Sequence, residues 1–533
     1  MEADRKMGLA EFRRMDKKRT VVIAATAALS LLALICGYVG YPLNGTNDAI
    51  FFMPPSINFA THHELTNPIT KNFTDPSDPS GQKRMLFYPP LFPMAVSLFI
   101  APQSPLSYPR QAFFALGFMN MLALVLTSRI LYKVATAHDK KLSWPAVLII
   151  CLALIITLRI SWGSGCRPET LARLFIITGF LAMLFAADHK TGASAPGATK
   201  KPRLIIGILA LLLGLTAATH PGGTLLFVAA IGIFFSLEEK WRGAFRNTAL
   251  TYAFGGLAFV LVIQLSPFNV FEVISGTAAN ANTHTQALTG IWSGTHLMQV
   301  IASNFSSPYK ILLFLVMLVV LAFGIKVYRE HRDKIKSPIL FVCFCIAFIG
   351  LLGYFVTESR NGYVTLFSTP VLAALLYSVI HISKMKIAQY GVAAVLLFLA
   401  ITAAQPIILF PSFIKNGVGI DEARNAFEKI VSTHPADRYL FTFHMWVVSE
   451  NYNAMDVLHF LKPGDKIPPR SIIVWGQHQD GMGPDDSDEL IAPPEVRGCP
   501  LIASNFVTEV PEIFGIRLAD ATPSYAFAAY ACQ

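Results

Sequence analysis

The amino-acid sequence predicts a polytopic α-helical membrane protein of about eleven transmembrane helices, ending in a small α/β domain outside the cytoplasm. Three observations predict this class. Of 533 residues, 53% are hydrophobic and only 14% charged, where soluble domains carry about 25% charged residues. Uncharged runs recur at the length that crosses a bilayer, about 20 residues for roughly 30 Å of hydrocarbon. Loops rich in Lys and Arg alternate with loops nearly free of them, the asymmetry that orients membrane helices.

The first run, near 20–40, is uncharged over 21–40 and follows Arg5, Lys6, Arg13, Arg14, Lys17, Lys18 and Arg19. It is long for a signal-peptide core, and no small-x-small cleavage pattern follows cleanly in GYVGYPLNG, so it is expected to remain as an anchor. Further spans are expected near 111–132, 144–160, 169–187, 204–219, 222–237, 248–266, 309–327, 338–356, 363–382 and 389–410. With this count, the clusters Lys133/Lys140/Lys141, Lys190/Lys200/Lys201/Arg203, Lys240/Arg242/Arg246, Lys326/Arg329/Arg332/Lys334/Lys336 and Lys384/Lys386 all share the side of the N-terminus. Residues 267–308, on the other side, contain no Lys or Arg. The N-terminus is therefore expected in the cytoplasm and, with an odd number of spans, the C-terminus outside. The apolar LFPMAVSLFIA (91–101) is too short and too Pro-flanked for a span, and counting it would invert every later loop. It reads as an interfacial or re-entrant helix within one large external loop, 41–110.

This divides the chain into a membrane domain, 1–410, and a soluble extracytoplasmic domain, 411–533. The tail holds 9 Lys/Arg and 16 Asp/Glu, a net of −7 within a total of +10, so the rest carries +17. In the tail, DEARNAFEKIVSTH reads as a helix with acidic residues opening it. RYLFTFHMWVV and SIIVWG read as strands, and GMGPDDSDE as a loop. Tyr439, Phe441, Phe443, Trp446 and Trp475 suit strand core or a carbohydrate- or protein-binding face. Cys499 and Cys532 share the tail and could pair if it lies outside. The basic loops report orientation, and no basic–aromatic patch or recognition helix indicates nucleic acid. No CxxC motif suggests zinc, and no repeat of fixed period is found.

The polar residues that could carry chemistry lie at the outer ends of the spans. The first external loop contributes Asp48, then His62, His63 and Glu64, then Tyr88 in FYPPLFP. SGCRPETLARL after the third span contributes Arg167, Glu169 and Arg173. His220 opens HPGG between two spans, and TESRNGY contributes Glu358, Arg360 and Tyr363. Helices packed side by side would gather these around one cavity. Plainer roles stay open for each. Asp48 suits a helix cap, the arginines can reach to lipid head groups, HPGG can be a tight turn, and Tyr88-Pro-Pro can stiffen the loop. Adjacent His62 and His63 diverge on a helix or a strand, which argues against a metal set.

In this order of features the chain resembles the GT-C membrane glycosyltransferases, especially the protein O-mannosyltransferases and lipid A aminoarabinose transferases. The resemblance rests on a first span, an external loop opening with Asp48, the PPL element at Tyr88-Pro89-Pro90-Leu91, and a late Arg-x-x-Tyr at Arg360 and Tyr363. It covers most of 1–410. Two departures stand out: relatives often carry two adjacent acids where this chain has Asn47-Asp48, and Tyr88 replaces the basic residue before PPL. The resemblance implies an integral, multi-pass enzyme of the plasma or inner membrane. It implies transfer of a sugar from a polyprenyl-phosphate donor to a glycan, lipid or protein acceptor, with inversion. Asp48 is then the expected base. Arg167, His220, Arg360 and Tyr363 are the expected donor-phosphate contacts, and His62, His63, Glu64, Tyr88, Glu169 and Glu358 the expected substrate contacts. No metal ligand is assigned and a divalent cation stays open. The chemistry agrees with the residue types: a hydroxyl acceptor needs a base, and a phosphate leaving group needs cations. The rival reading is a transporter or flippase of lipid-linked sugars, a class marked by repeats and broken helices at mid-membrane that this sequence lacks.

Overall fold

The computed structural model describes residues 17–42, 46–67, 88–137, 142–163, 166–192, 201–238, 240–278, 361–382, 386–448, 455–457, 469–477, 498–507, 509–513, 516–517 and 522–532, with isolated positions between. The described helices are α1 (Lys17–Val39), α2 (Thr46–His62), α3 (Leu91–Ser97), α4 (Tyr108–Ala135), α5 (Trp144–Gly163), α6 (Pro168–Gly192), α7 (Lys201–Ala217), α8 (Pro221–Glu238) and α9 (Trp241–Ile263), followed by α10 (Asn361–Tyr377), α11 (Lys386–Ala403), α12 (Gln405–Asn416) and α13 (Ile420–Thr433). Among the described residues six helical stretches are long and apolar enough to cross a membrane: Lys17–Val39, Tyr108–Ala135, Trp144–Trp162, Pro168–Ala187, Trp241–Ile263 and Gln389–Asn416. Three shorter apolar helices, Arg203–Ala217, Pro221–Leu237 and Leu366–His381, fall on further expected spans. The expected span at 309–327 is described only at isolated positions, and that at 338–356 lies outside the described residues. The segment 91–101 forms only the seven-residue α3, far short of a bilayer.

Contacts at the helix ends divide the molecule into two faces. At one, Lys18 Nζ donates to Leu142 O (2.8 Å) and lies over the Trp144 ring, Lys133 lies over Phe185, and His381 Nε2 is 3.0 Å from Val134 O. At the other, Tyr41 Oη donates to Pro406 O (3.0 Å), the Tyr41 ring meets Trp162, Phe410 and Phe413, and Arg110 donates to Tyr38 O. α1, α4 and α5 each run from one face to the other. α1 and α4 touch backbone to backbone. A Cβ on Gly37 would lie 2.7 Å from Phe113 O, and one on Gly117 would lie 2.7 Å from Ala33 O. Glycine admits that approach, which gives helices in lipid dispersion contact where no hydrophobic effect drives them together.

The tail builds a five-stranded mixed sheet from β1 (Arg438–Phe441), β2 (Met455–Val457), β3 (Ser471–Gly476), β4 (Leu501–Ser504) and β7 (Phe527–Cys532), in the order β2-β1-β3-β7-β4. β1 runs parallel to β2 and β3, while β7 is antiparallel to β3 and β4. A separate two-stranded pair joins β5 (Glu512–Ile513) to β6 (Ile516–Arg517). Cys499 and Cys532 form a disulfide, Cα atoms 4.6 Å apart. RYLFTFHMWVV is strand only at Arg438–Phe441; Phe443–Val448 is a 3₁₀ turn. Met445 to Val448 are all buried without the alternation a half-exposed strand would give, and Trp446 packs against Phe113 of α4 at 6.0 Å. Phe427 of α13 sits between Tyr439, Phe441 and Phe527. One apolar core runs from the helices into this sheet, at the end where Arg110 and Ser107 bond Asp421.

Candidate active site

Two helix starts build the site. α6 opens with Pro168 and carries Glu169 in its first turn, where proline's fixed φ is tolerated and a carboxylate meets the positive end of the helix dipole. α8 opens with Pro221, and His220 acts as its cap: His220 Nδ1 accepts the N–H of Gly223 (3.0 Å), satisfying one of the four unpaired donors of a helix start. An Nδ1 that accepts carries no proton, so the neutral ring holds its proton on Nε2.

That Nε2 lies 3.5 Å from Glu169 Oε1. Arg167 closes the carboxylate from the other side, Nη2 3.0 Å from Oε1 and Nε 3.2 Å from each oxygen. The Glu169 side chain is 0% exposed and that of Arg167 14%. The His220 ring stacks on the half-buried Tyr88, centroids 5.6 Å apart and 29° between planes. Tyr88 in turn meets Phe52 of α2 edge to face at 5.5 Å. The PPL element is fixed here because Leu91 N–H donates to Ala218 O (2.9 Å) at the end of α7. Tyr88, Arg167, Glu169 and His220, far apart in sequence, therefore form one cluster.

The other expected residues stand elsewhere or beyond description. Asp48 belongs to α2, one helical turn before Phe52, but its side chain lies outside the described residues. Tyr363 is in the first turn of α10 with its side chain likewise outside, and Glu358 and Arg360 lie outside altogether. His62, His63 and Glu64 are exposed at the end of α2. His62 Nδ1 is bonded to the neighbouring Thr61 and the His63 ring meets Phe59. Among the described residues no three His, Cys, Asp or Glu side chains come together to hold a metal ion.

One residue named among the polar candidates was given no role from the sequence. Arg173, one turn beyond Glu169 in α6, is 1% exposed and bonds Ser161 Oγ through Nη1. It is the only charged residue between 170 and 187. A lone cation in an apolar run is the signal that could have marked it.

No family model and no curated protein sequence matches the chain. In structure the chain is similar to the Archaeoglobus fulgidus oligosaccharyltransferase complexed with Zn and sulfate, at 13% identity and a TM-score of 0.48, covering 82% of this chain and 62% of that one. It thus spans about three fifths of that neighbour's length. It is similar to the archaeal oligosaccharyltransferase AglB from the same organism, complexed with an inhibitory peptide and a dolichol-phosphate, at 12% identity and a TM-score of 0.45, covering 82% and 64%. A third likeness is to ArnT from Cupriavidus metallidurans in the apo state, at 12% identity and a TM-score of 0.36, covering 95% and 97%.

Proposed function

We propose that this protein is an inverting membrane glycosyltransferase that moves a sugar from a polyprenyl-phosphate donor to a glycan, lipid or protein acceptor on the non-cytoplasmic side. One observation carries the reading: Tyr88, Arg167, Glu169 and His220 converge at the sheet-bearing end of the helices, with Arg167 half-buried there and Arg173 buried one turn further along α6. A lipid-phosphate leaving group gains negative charge as the glycosidic bond breaks, and preorganised cations lower that barrier. Asp48, one turn from Phe52 at the edge of the cluster, is the proposed base that takes the acceptor's proton. Arg360 and Tyr363 are proposed donor contacts, and Glu358 a proposed substrate contact. The exposed His62, His63 and Glu64 are proposed substrate contacts.

Arg167 takes a different part from the one its charge alone suggests. Glu169 already engages the Nε–Nη2 edge of its guanidinium, so Arg167 and His220 hold the carboxylate in place rather than offering a full free charge. Sidedness has its own support. The Cys499–Cys532 bridge belongs to a sheet at the same end as the cluster, and structural disulfides persist in oxidising compartments.

The test is to incubate purified protein with labelled polyprenyl-phosphate sugars and an acceptor extract. Release of polyprenyl phosphate is expected, with Asp48→Asn slower by about 10²–10⁴-fold, the usual scale of lost general-base catalysis. Movement of intact donor across liposomes without cleavage would overturn the reading in favour of transport.

A further inference from the structure

We infer that Arg173 is the seat of a phosphoryl group carried by a membrane lipid. The inference rests on the proposed donor class for the identity of that lipid, and on the side chain's own surroundings for the seat.

Arg173 is 1% exposed in a helix that is apolar for more than four turns. Its Nη1 donates to Ser161 Oγ, and Ser161 spends its own proton on Thr157 O (2.7 Å). Its Nε and Nη2 are buried without a hydrogen-bond partner among the described residues. Glu169, one turn away, faces Arg167 and His220 instead. A buried guanidinium with one neutral partner and no counter-ion is costly, and folded proteins rarely keep such a group unless a ligand completes it.

The geometry of the unspent edge narrows the ligand. Nε–H and the adjacent Nη2–H point the same way, and that edge grips a phosphate or carboxylate by two parallel bonds. Ser161 holds the opposite side of the plane and so fixes the edge's direction. Depth narrows it further. Arg173 is the sixth residue of α6, about 7 Å along the axis from its first residue at 1.5 Å per residue. An anion anchored in the bilayer reaches that level with its head group, whereas a free carboxylate must leave water to do so. Arg167, nearer the helix start, is neutralised by Glu169 and cannot compete as the principal seat.

The experiment uses the full chain in detergent, with a long-chain polyprenyl phosphate, phosphatidylglycerol and inorganic phosphate as probes. Binding is read by native mass spectrometry and by the shift in melting temperature for wild type, Arg173→Gln, Arg173→Lys and Arg167→Gln. The expected result is that wild type binds polyprenyl phosphate and Arg173→Gln binds about 10–100-fold more weakly, the scale of a hydrogen-bonded contact to a charged group. Arg173→Lys falls between them, and Arg167→Gln loses less than Arg173→Gln. Without ligand, Arg173→Gln should melt at or above the wild-type temperature, because it removes an uncompensated buried charge.

Equal polyprenyl-phosphate affinity in wild type and Arg173→Gln overturns the seat and leaves the donor reading standing. A much lower ligand-free melting temperature, or failure to fold, also overturns it, since the guanidinium would then be structural. Arg173-dependent binding of phosphatidylglycerol with none of polyprenyl phosphate upholds the seat and removes the donor reading. Arg173-dependent binding of inorganic phosphate alone overturns the lipid source.

Discussion

Arg167 and Glu169 form an ion pair across the first turn of α6, Nη2 3.0 Å from Oε1, with side chains 14% and 0% exposed. Arg110 and Asp421 are closer, at 2.6 Å, but 21% and 44% exposed. Burial, not distance, separates the two in energy. An exposed pair contributes at most about 1 kcal/mol. Breaking a buried pair leaves a desolvated charge behind and costs about 3–5 kcal/mol. Glu169→Gln is therefore expected to lower stability by about 3 kcal/mol, the lower end because Arg167 keeps some water, and Asp421→Asn by less than about 1 kcal/mol. Melting of the two variants in one detergent checks this, and equal losses would show that burial does not set the strength.

His220 has two separable jobs. Its Nδ1 caps α8 through Gly223, and its ring stacks on Tyr88 while Nε2 faces Glu169. Asn is among the best capping residues and lacks the ring, whereas Phe keeps the ring and cannot cap. His220→Phe should cost about 1 kcal/mol of stability through the lost cap, with Tyr88 still ordered. His220→Asn should recover that part and lose the stack. If catalysis needs the Nε2 proton on Glu169, both variants lose transfer activity while differing in melting temperature. Full activity in His220→Phe would remove the imidazole from the mechanism.

The sequence carried most of this arrangement where a signal is local. Runs of apolar residues located the spans that fall on described helices, because length acts on each helix independently. His220-Pro-Gly-Gly and Arg167-Pro-Glu were legible as boundary residues. That both meet on one carboxylate was not, since pairing depends on how α6 and α8 pack. Arg173 was named with Arg167 and Glu169 but given no role, although it is the one charge in an apolar run. Phe443–Val448 reads like a strand because a short apolar run has no period that separates a strand from a buried 3₁₀ turn. Asp48 and Arg360 were chosen by resemblance. The Asp48 side chain and the whole of Arg360 lie outside the described residues.

The α1–α4 contact makes a prediction that is independent of the site. Gly37 and Gly117 face each other, and a Cβ on Gly37 would also lie 2.9 Å from Gly117 Cα. No side chain lies in the way to yield; the obstruction is backbone on both sides. Gly37→Val must push the helices apart, with a cost of about 1–3 kcal/mol for overpacking. Gly207, where an added Cβ meets nothing within 4 Å, is the control. Gly207→Ala should leave stability unchanged or raise it by up to about 1 kcal/mol through helix propensity. Equal melting temperatures for Gly37→Val and wild type would refute the close approach.

The Cys499–Cys532 bridge makes sidedness testable by chemistry. Its residues are 33 apart in sequence, and a loop of that size is worth roughly 3–4 kcal/mol in the chain-entropy estimate. The described free cysteines, Cys36, Cys151 and Cys166, are buried or half-buried in the helical part. In intact cells an impermeant maleimide should therefore leave 499 and 532 unlabelled until an external reductant is added, then label both. Cys499→Ala should free Cys532 for labelling without reductant and lower the melting temperature. Labelling of 499 and 532 only after the membrane is permeabilised, with no reductant needed, would put the sheet in the cytosol. The cluster at Glu169 would go with it, because the sheet and the cluster occupy the same end of the helices, and the proposed external transfer would fail.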